Sequence, residues 1–174
     1  DSAIFKGGYL LYYNQLWEKI NSRNITLNVP QGLFLGENKA FEEETIREAV
    51  NNAVMHRDYQ ESETIFIFQY PTSIEIKSPG GFVEGITLSN ILYESRVRNK
   101  LIADVLYRCE FVEQFGTGVN LMFKKQLSLG KNPPDYSKSQ ERRVVLKLDG
   151  AIQDLDFAKY VLKVADSMQK VLSD

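Results

Sequence analysis

The chain has 174 residues, of which 43% are hydrophobic and 25% are charged, and its formal net charge is −2 at pH 7. This composition is that of a globular protein with one core, and it excludes a disordered or fibrous chain. The charge excludes a strongly basic nucleic-acid binder, so DNA contact by this segment would need a local patch of cations. Arg96, Arg98 and Lys100 form such a patch, although a solvated surface explains them as well.

Cysteine use and hydropathy indicate the compartment. Cys109 is the only cysteine, which excludes a disulfide framework within the chain and favours a reducing environment. The sequence has no charged-then-apolar leader, and none of its apolar runs approaches the roughly 18 residues that span a bilayer. We therefore expect a cytoplasmic protein that has no membrane partner.

The first third of the chain predicts a helix, a strand and a second helix. Apolar and aromatic residues at helical spacing predict the first helix over residues 9–20. Residues 24–29 alternate enough for a short strand, which we expect to end at Pro30. The second helix is predicted over residues 41–57, because glutamates in its first turn suit the positive end of a helix dipole.

The rest of the chain predicts a hairpin followed mainly by helices. Two runs rich in β-branched and aromatic residues, 64–70 and 73–77, flank a Pro-Thr-Ser turn and predict an antiparallel hairpin. The later predicted elements are short helices over 88–93 and 99–108, a helix over 116–129, a strand over 142–148 and a terminal helix over 154–172. The predicted class is α+β, a two-layer sandwich of a mainly antiparallel sheet with helices on one face.

The second helix carries a carboxylate and an amide one turn apart. With about 100° of rotation per residue, Glu48, Asn52 and His56 fall on one polar stripe. A carboxylate can orient or deprotonate a water, and an amide oxygen is a hard ligand suited to Mg²⁺. An ordinary amphipathic helix also explains this pattern. For His56 we expect a structural role, a hydrogen bond to the turn at Asp58 and Tyr59.

Two glycine-containing segments follow this helix. Ser78-Pro79-Gly80-Gly81 ends the predicted hairpin, and Gly116-Thr117-Gly118 starts a helix. Glycines before a helix let the backbone approach a phosphate, whose charge the helix N-terminus favours. A plain turn and a plain helix cap are the alternative explanations for the two segments.

In this order, the Glu48-x-x-x-Asn52 helix and the two glycine segments resemble the Bergerat-fold ATPases of the GHKL superfamily, which includes gyrase, histidine kinases and MutL. That superfamily has a Glu-x-x-x-Asn helix and two glycine boxes that flank a mobile ATP lid. The chain is similar in particular to the RecG-related family described as ATP-dependent DNA helicases. The matching motifs are Phe5-Lys6-Gly7, Arg47-Glu48-Ala49-Val50, His56-Arg57-Asp58-Tyr59, Ser78-Pro79-Gly80-Gly81, Arg98-Asn99, Val112-Glu113-Gln114-Phe115-Gly116-Thr117-Gly118 and Pro133-Pro134.

The resemblance implies ATP and Mg²⁺ as cofactors. Glu48 would be the general base that positions a water against the γ-phosphate, and Asn52 would bind Mg²⁺. Gly80 and Gly81 would form one wall of the nucleotide pocket. The second glycine segment would offer backbone N–H groups to the phosphates from its three residues, Gly116, Thr117 and Gly118.

The resemblance also implies a lid and shows one departure from the superfamily. Residues 82–115 would form the lid, from which Arg98 would either reach a phosphate or fix the lid's own fold. The first glycine box of the superfamily usually begins with an Asp that accepts a hydrogen bond from the adenine amino group, and here Ser78 takes that place. Losing a hydrogen bond to a charged acceptor costs about 1.5–3 kcal/mol, so weak ATP binding or a different ligand stays open.

In the RecG-related family this domain follows an AlbA-like DNA-binding domain, and a winged helix often comes after it. The resemblance divides the chain into an N-terminal helix and lead-in strand (1–30), a Bergerat-type ATPase-like domain (31–150) and a C-terminal helix (151–174) that leads to a further domain. DNA would be bound by other domains of a longer protein. The first and terminal helices are the expected interface elements of a homodimer.

Two functional hypotheses follow. The first is an ATP-binding regulatory domain of a DNA-binding transcriptional regulator, with or without ATP hydrolysis. The alternative is a degenerate, non-hydrolytic dimerisation or interaction module of such a regulator. The sequence lacks the G-x-x-x-x-G-K-[ST] loop of helicase motors, so this segment is not expected to be a helicase motor by itself.

Overall fold

The computed structural model describes residues 2–31, 34–112, 116–157, 160, 161 and 164, and it describes residues 28–31 and 34–37 by their backbone alone. The elements in chain order are α1 (Tyr9–Asn21), β1 (Thr26–Gln31), β2 (Phe34–Lys39), α2 (Glu43–His56), β3 (Phe66–Tyr70), β4 (Ser73–Pro79), α3 (Lys100–Arg108), α4 (Gly118–Ser128) and β5 (Arg143–Asp149). Helices and antiparallel sheets are mixed, which confirms the α+β class.

The strands form two antiparallel sheets. Strands β1 and β2 pair with each other, and β3, β4 and β5 form a second sheet with β4 in the centre. Tyr70 lies opposite Ser73 across the tight turn, so the predicted hairpin is confirmed. On the other side of β4, Ile76 lies opposite Leu146 of β5. The end of β4, which carries the first glycine segment, pairs with β5, where Ser78 lies opposite Val144, whereas the pairing with β3 ends at Lys77.

Helix α2 packs on the inner face of this second sheet. Ile74, Ile76 and Ser78 are buried, whereas the residues between them in β4 are only half-buried. This alternation places every second side chain of β4 on the inner face. The buried residues that α2 contributes are Thr45, Ile46, Glu48, Ala49, Val50, Asn51, Ala53, Val54 and Met55. Because Glu48 is among them, the polar stripe of α2 is not a solvent-facing surface.

Three details differ from the sequence predictions. Strand β2 was not predicted, since its polar residues and Gly36 have low strand propensity, and its pairing with β1 stabilises it instead. Pro30 lies inside β1, which pairs with β2 along one edge. A strand with an edge that faces no partner strand tolerates a residue that lacks an N–H. The helix predicted over residues 88–93 is wrong, because these residues form a series of turns. Asn90 stabilises the turns by accepting a hydrogen bond from Thr87 N–H and donating one to the Gly85 carbonyl.

The C-terminal prediction is described only in part. Residues 155–157 are helical, and most of the helix predicted over residues 154–172 lies outside the described residues. Among the helices that the structure describes, none combines the length and apolar character needed to cross a membrane.

Asn51 joins α2 to two other parts of the chain. Its fully buried Oδ1 accepts a hydrogen bond from the Tyr9 hydroxyl at 2.8 Å, and its Nδ2 donates to the Phe111 carbonyl at 2.7 Å. The rings of Tyr9 and Phe111 also pack edge to face with centroids 5.9 Å apart. Helix α1 and the segment that leads to the second glycine segment are therefore both fixed to the middle of α2.

We expect Asn51→Ala to lower the free energy of unfolding by about 2–4 kcal/mol, because it removes a buried amide and leaves a part-buried hydroxyl and a part-buried carbonyl without partners. Urea unfolding followed by circular dichroism measures the change. Asn52→Ala is the matched control, because it removes the next amide of α2, whose Nδ2 has no partner in the described structure. Equal losses in the two variants would contradict this role of Asn51.

Candidate functional site

A pocket opens beside the polar stripe of α2, and we call it the α2 pocket. Its empty space, open mouth included, is about 1070 Å³. Both glycine segments contribute to its lining, together with apolar residues of the sheet and of the 82–97 connection. The predicted site residues that line it are Glu48, Asn52, Ser78, Gly81, Gly116 and Gly118, whereas Gly80, Arg98 and Thr117 are not among its lining residues.

Glu48, Asn52 and His56 form one wall of the α2 pocket. Residues four positions apart in a helix are separated by about 6 Å along its axis, so this wall presents three polar groups at regular intervals over about 12 Å. Glu48 is only 6% exposed. A carboxylate at such a site keeps a defined position and is shielded from bulk water.

Helix α4 begins against the carboxylate of Glu48. A Cβ atom on Gly118 would clash with Glu48 Oε2 and would lie 3.4 Å from Asn52 Nδ2. Glycine at this position therefore allows the N-terminus of α4 to approach both side chains. The first N–H groups of a helix have no partner within the helix and favour an anion nearby. The pocket thus combines a helix N-terminus with a carboxylate and an amide.

Gly116 has a backbone role in the same loop. Its φ of +86° lies in the left-handed region, which a side chain would strain, and a Cβ atom there would lie 2.8 Å from the Ser95 side chain. The second glycine segment therefore passes close to the 82–97 connection on one side and to α2 on the other.

The first glycine segment is fixed to the C-terminal part of α2. The buried Ser78 hydroxyl donates a hydrogen bond to the Ala53 carbonyl at 3.0 Å. Gly80 has a φ of +89°, and a Cβ atom on it would lie 2.7 Å from Asp58 Cβ. Gly81 lines the pocket, and its Cβ atom would clash with the backbone carbonyl of Glu141. Gly80 thus permits close packing behind the wall that Gly81 forms.

Arg98 holds the connection between β4 and α3 in place. Its Nη2 donates to the Gly81 carbonyl at 2.8 Å, and its Nη1 lies 3.7 Å from Asp58 Oδ2. The next residue, Asn99, donates through Nδ2 to the carbonyls of Met55 and Arg57, both at 2.8 Å. Of the two roles left open for Arg98, these contacts are those of a residue that fixes the fold of its own segment.

Arg96, rather than Arg98, lines the pocket. From the sequence it was predicted only as part of a surface patch. Its guanidinium packs beside Gly85, where a Cβ atom would lie 3.0 Å from Arg96 Cζ. The described lining residues contain two carboxylates, Glu48 and Glu94, and one guanidinium. With His56 neutral, their net formal charge is −1. The sequence feature that could have identified Arg96 is its position between the two glycine segments.

His56 lines the pocket at the C-terminal end of α2. Burial, and next the nearby Arg98 guanidinium, lower the pKa of His56 to about 4, so the imidazole is neutral at pH 7. The structure does not show the expected bond from His56 to the following turn. The Tyr59 hydroxyl donates to the Val54 carbonyl instead, and Asp58 Oδ1 accepts from Gln60 N–H.

We expect the free energy of unfolding to fall as the pH drops from 6.5 to 4. The unfolded imidazole takes up a proton with a pKa of 6.5, whereas the folded one does so only near 4, so acid favours the unfolded chain. The pKa shift of His56 contributes about 3 kcal/mol in total to the free energy of unfolding. Urea unfolding at several pH values should show a shallower decline over this range for His56→Leu than for the wild type. Equal declines would contradict a buried neutral imidazole.

Asn52 provides the test of whether a metal ion fits. The side-chain amide lines the pocket, and its Nδ2 is buried with no hydrogen-bond partner in the described structure. The described residues contain no group of three or more His, Cys, Asp and Glu side chains that could hold a metal ion. Mg²⁺ commonly takes few protein ligands and completes its shell with phosphates and waters, so the side-chain oxygen of Asn52 would fit its chemistry if phosphates were bound beside it.

The comparisons with known proteins agree with the motif resemblance. The family model described as "Putative ATP-dependent DNA helicase recG C-terminal" matches residues 62–147. The chain is similar to this family over that segment. The matched segment contains both glycine segments and most of the second sheet, whereas Glu48 and Asn52 precede it.

A solved structure extends the similarity to the N-terminal part. The DIP2311 protein from Corynebacterium diphtheriae is 28% identical in sequence to this chain and superposes with a TM-score of 0.79. The match covers 86% of this chain and 31% of that protein, so this chain spans about a third of its length. No curated protein matches the chain significantly.

Proposed function

We propose that the α2 pocket binds Mg²⁺–ATP and that the chain is a GHKL-type regulatory domain of a DNA-binding protein. The observation that carries this proposal is the meeting of Glu48, Asn52 and the N-terminus of α4 at Gly118. A carboxylate, an amide and a helix N-terminus in one pocket are the groups needed to orient a water, bind Mg²⁺ and receive phosphates.

The charge of the pocket supports a requirement for Mg²⁺. Since the described lining residues carry a net formal charge of −1, a free triphosphate would be repelled by Glu48 and Glu94. A bound Mg²⁺ would neutralise the phosphate oxygens and favour displacement at the γ-phosphate. Arg96, the only guanidinium among those lining residues, supplies a further positive charge. We therefore propose that nucleotide affinity depends strongly on Mg²⁺.

Ser78 is compatible with adenine despite replacing the usual Asp. Its hydroxyl proton is used in the bond to the Ala53 carbonyl, which leaves the oxygen lone pairs as acceptors. An adenine amino group is a donor and would suit that oxygen. This hydrogen bond would be weaker than one to a carboxylate. We therefore expect a lower affinity for ATP than in superfamily members that have Asp at this position.

The regulatory part of the proposal rests on the contacts of α2. Asn51, beside the proposed ligand residue Asn52, fixes both α1 and the Phe111 segment. Ligand binding at the second glycine segment would therefore bias the position of α1. A ligand shifts a conformational equilibrium only by its differential affinity for the two states. DNA binding by other domains of a longer protein, and homodimerisation through α1, belong to this proposal.

Calorimetric titration of the purified chain with a non-hydrolysable ATP analogue tests the proposal. We expect saturable binding with Mg²⁺, at least about 10-fold weaker binding in EDTA, and weaker binding of a GTP analogue. Thr45→Val is the matched control, because Thr45 is a buried polar residue of α2 that does not line the pocket. The absence of heat at millimolar Mg²⁺–nucleotide would contradict the proposal and favour the non-hydrolytic interaction module.

A further inference from the structure

Two polar atoms of the α2 pocket have no hydrogen-bond partner in the part of the chain that the structure describes. They are Asn52 Nδ2 and His56 Nδ1, and both are buried. They lie on the same wall about one helical turn, or roughly 6 Å, apart. Buried polar groups in proteins are nearly always paired, so an unpaired atom that lines a pocket is available to a ligand group.

We propose that His56 is a specificity-determining residue that hydrogen-bonds the nucleobase of a nucleotide in the α2 pocket. This inference rests on the proposed function and adds to it the residue that distinguishes a nucleotide from a bare polyphosphate. His56 is the only histidine of the chain, and no bond within the described part of the chain accounts for its buried Nδ1.

The position of His56 along α2 places it at the base end of the site. The features assigned to the γ-phosphate end, Glu48 as the group that orients the water and the α4 N-terminus at Gly118, lie at one end of the polar wall. His56 is eight residues beyond Glu48, which is about 12 Å along the helix and leaves room for the phosphates and the ribose between them. Ser78 lies at the same end as His56, because it bonds the Ala53 carbonyl on the last turns of α2.

The chemistry of His56 suits a nucleobase edge. A neutral imidazole offers one N–H donor and one lone pair, whereas a charged one would offer only donors. Burial keeps the ring neutral by lowering its pKa to about 4, and the charged group that adds to this effect is Arg98. Arg98 in turn is fixed by the Gly81 carbonyl and Asp58, so it is not directed at the phosphate end.

The test compares two ligands and two substitutions by calorimetry in excess Mg²⁺. The ligands are a non-hydrolysable ATP analogue and inorganic tripolyphosphate, which has the phosphates without a base. We expect His56→Leu to weaken the nucleotide about 10-fold and to leave tripolyphosphate unchanged. His56→Asn should retain most of the nucleotide affinity, because its amide places a polar atom near the position of Nδ1. Asn52→Ala should weaken both ligands.

Thr45→Val is again the control, since the buried Oγ1 of Thr45, also on α2, has no partner among the described residues but lies outside the pocket. It should leave both affinities unchanged, and thermal midpoints establish that each variant is folded. Wild-type nucleotide binding that His56→Leu leaves unchanged, or weakens equally for both ligands, would overturn this inference alone. The absence of nucleotide binding by the wild type would instead overturn the proposed function.

Discussion

Gly118→Ala should abolish Mg²⁺-dependent nucleotide turnover while the protein stays folded. The added Cβ atom would occupy the place of the Glu48 carboxylate, which must then move. Because that carboxylate is the end of a flexible side chain, we expect the free energy of unfolding to change by less than about 1 kcal/mol. Misplacing the proposed general base should lower the turnover rate at least about 100-fold. Phosphate release and urea unfolding measure the two quantities.

Two other glycines provide controls for this prediction. Gly8 also lies at the start of a helix, but a Cβ atom on it would contact nothing within 4 Å, so Gly8→Ala should leave turnover unchanged. Gly81→Ala should instead destabilise the fold, because its Cβ atom would meet the rigid backbone carbonyl of Glu141. If Gly118→Ala kept wild-type turnover, the close approach of α4 to Glu48 would have no role in catalysis.

Substitutions at Glu48 and Asn52 should separate hydrolysis from binding. Glu48→Gln should keep nucleotide affinity within a few-fold and lower turnover about 10²–10⁴-fold, because the amide cannot accept a proton from water. Asn52→Ala should weaken Mg²⁺–nucleotide binding about 10–100-fold, because it removes the oxygen that would hold the metal. Titration calorimetry and single-turnover hydrolysis measure these effects. Wild-type behaviour of both variants would show that the site is elsewhere.

A double-mutant cycle links these two predictions. If Gly118→Ala acts through the displaced Glu48 carboxylate, it should lower turnover no further once Glu48 is Gln. Additive losses would mean that Gly118→Ala acts on the phosphates directly, through the N-terminus of α4.

The sequence predicted which residues meet at the α2 pocket better than it predicted their contacts. The stripe of Glu48 and Asn52 follows from helical periodicity, and glycine at residues 116 and 118 signals a close backbone approach, so these residues could be identified in advance. Periodicity could not tell that Glu48 is buried, because that depends on the packing of α4 against α2. The contacts of Arg98 with Gly81 and Asp58 likewise depend on tertiary structure, and a motif match alone left its role open.

The elements that were predicted wrongly or not at all are stabilised by strand pairing or by side-chain hydrogen bonds rather than by secondary-structure propensity. Strand β2 forms because β1 lies beside it, and Asn90 converts residues 88–93 into turns through two hydrogen bonds. His56 illustrates the same limit within the site. Its place on the polar stripe was evident, but its neutral state and unpaired Nδ1 depend on the surrounding fold.

A crystal structure of the chain with Mg²⁺ and a non-hydrolysable ATP analogue tests the nucleotide site most directly. We expect the triphosphate at the N-terminus of α4, the side-chain oxygen of Asn52 about 2.0–2.1 Å from Mg²⁺, and a water held between Glu48 and the γ-phosphate. A nucleotide bound outside the α2 pocket, or bound within it with Mg²⁺ away from Asn52, would contradict the proposed site.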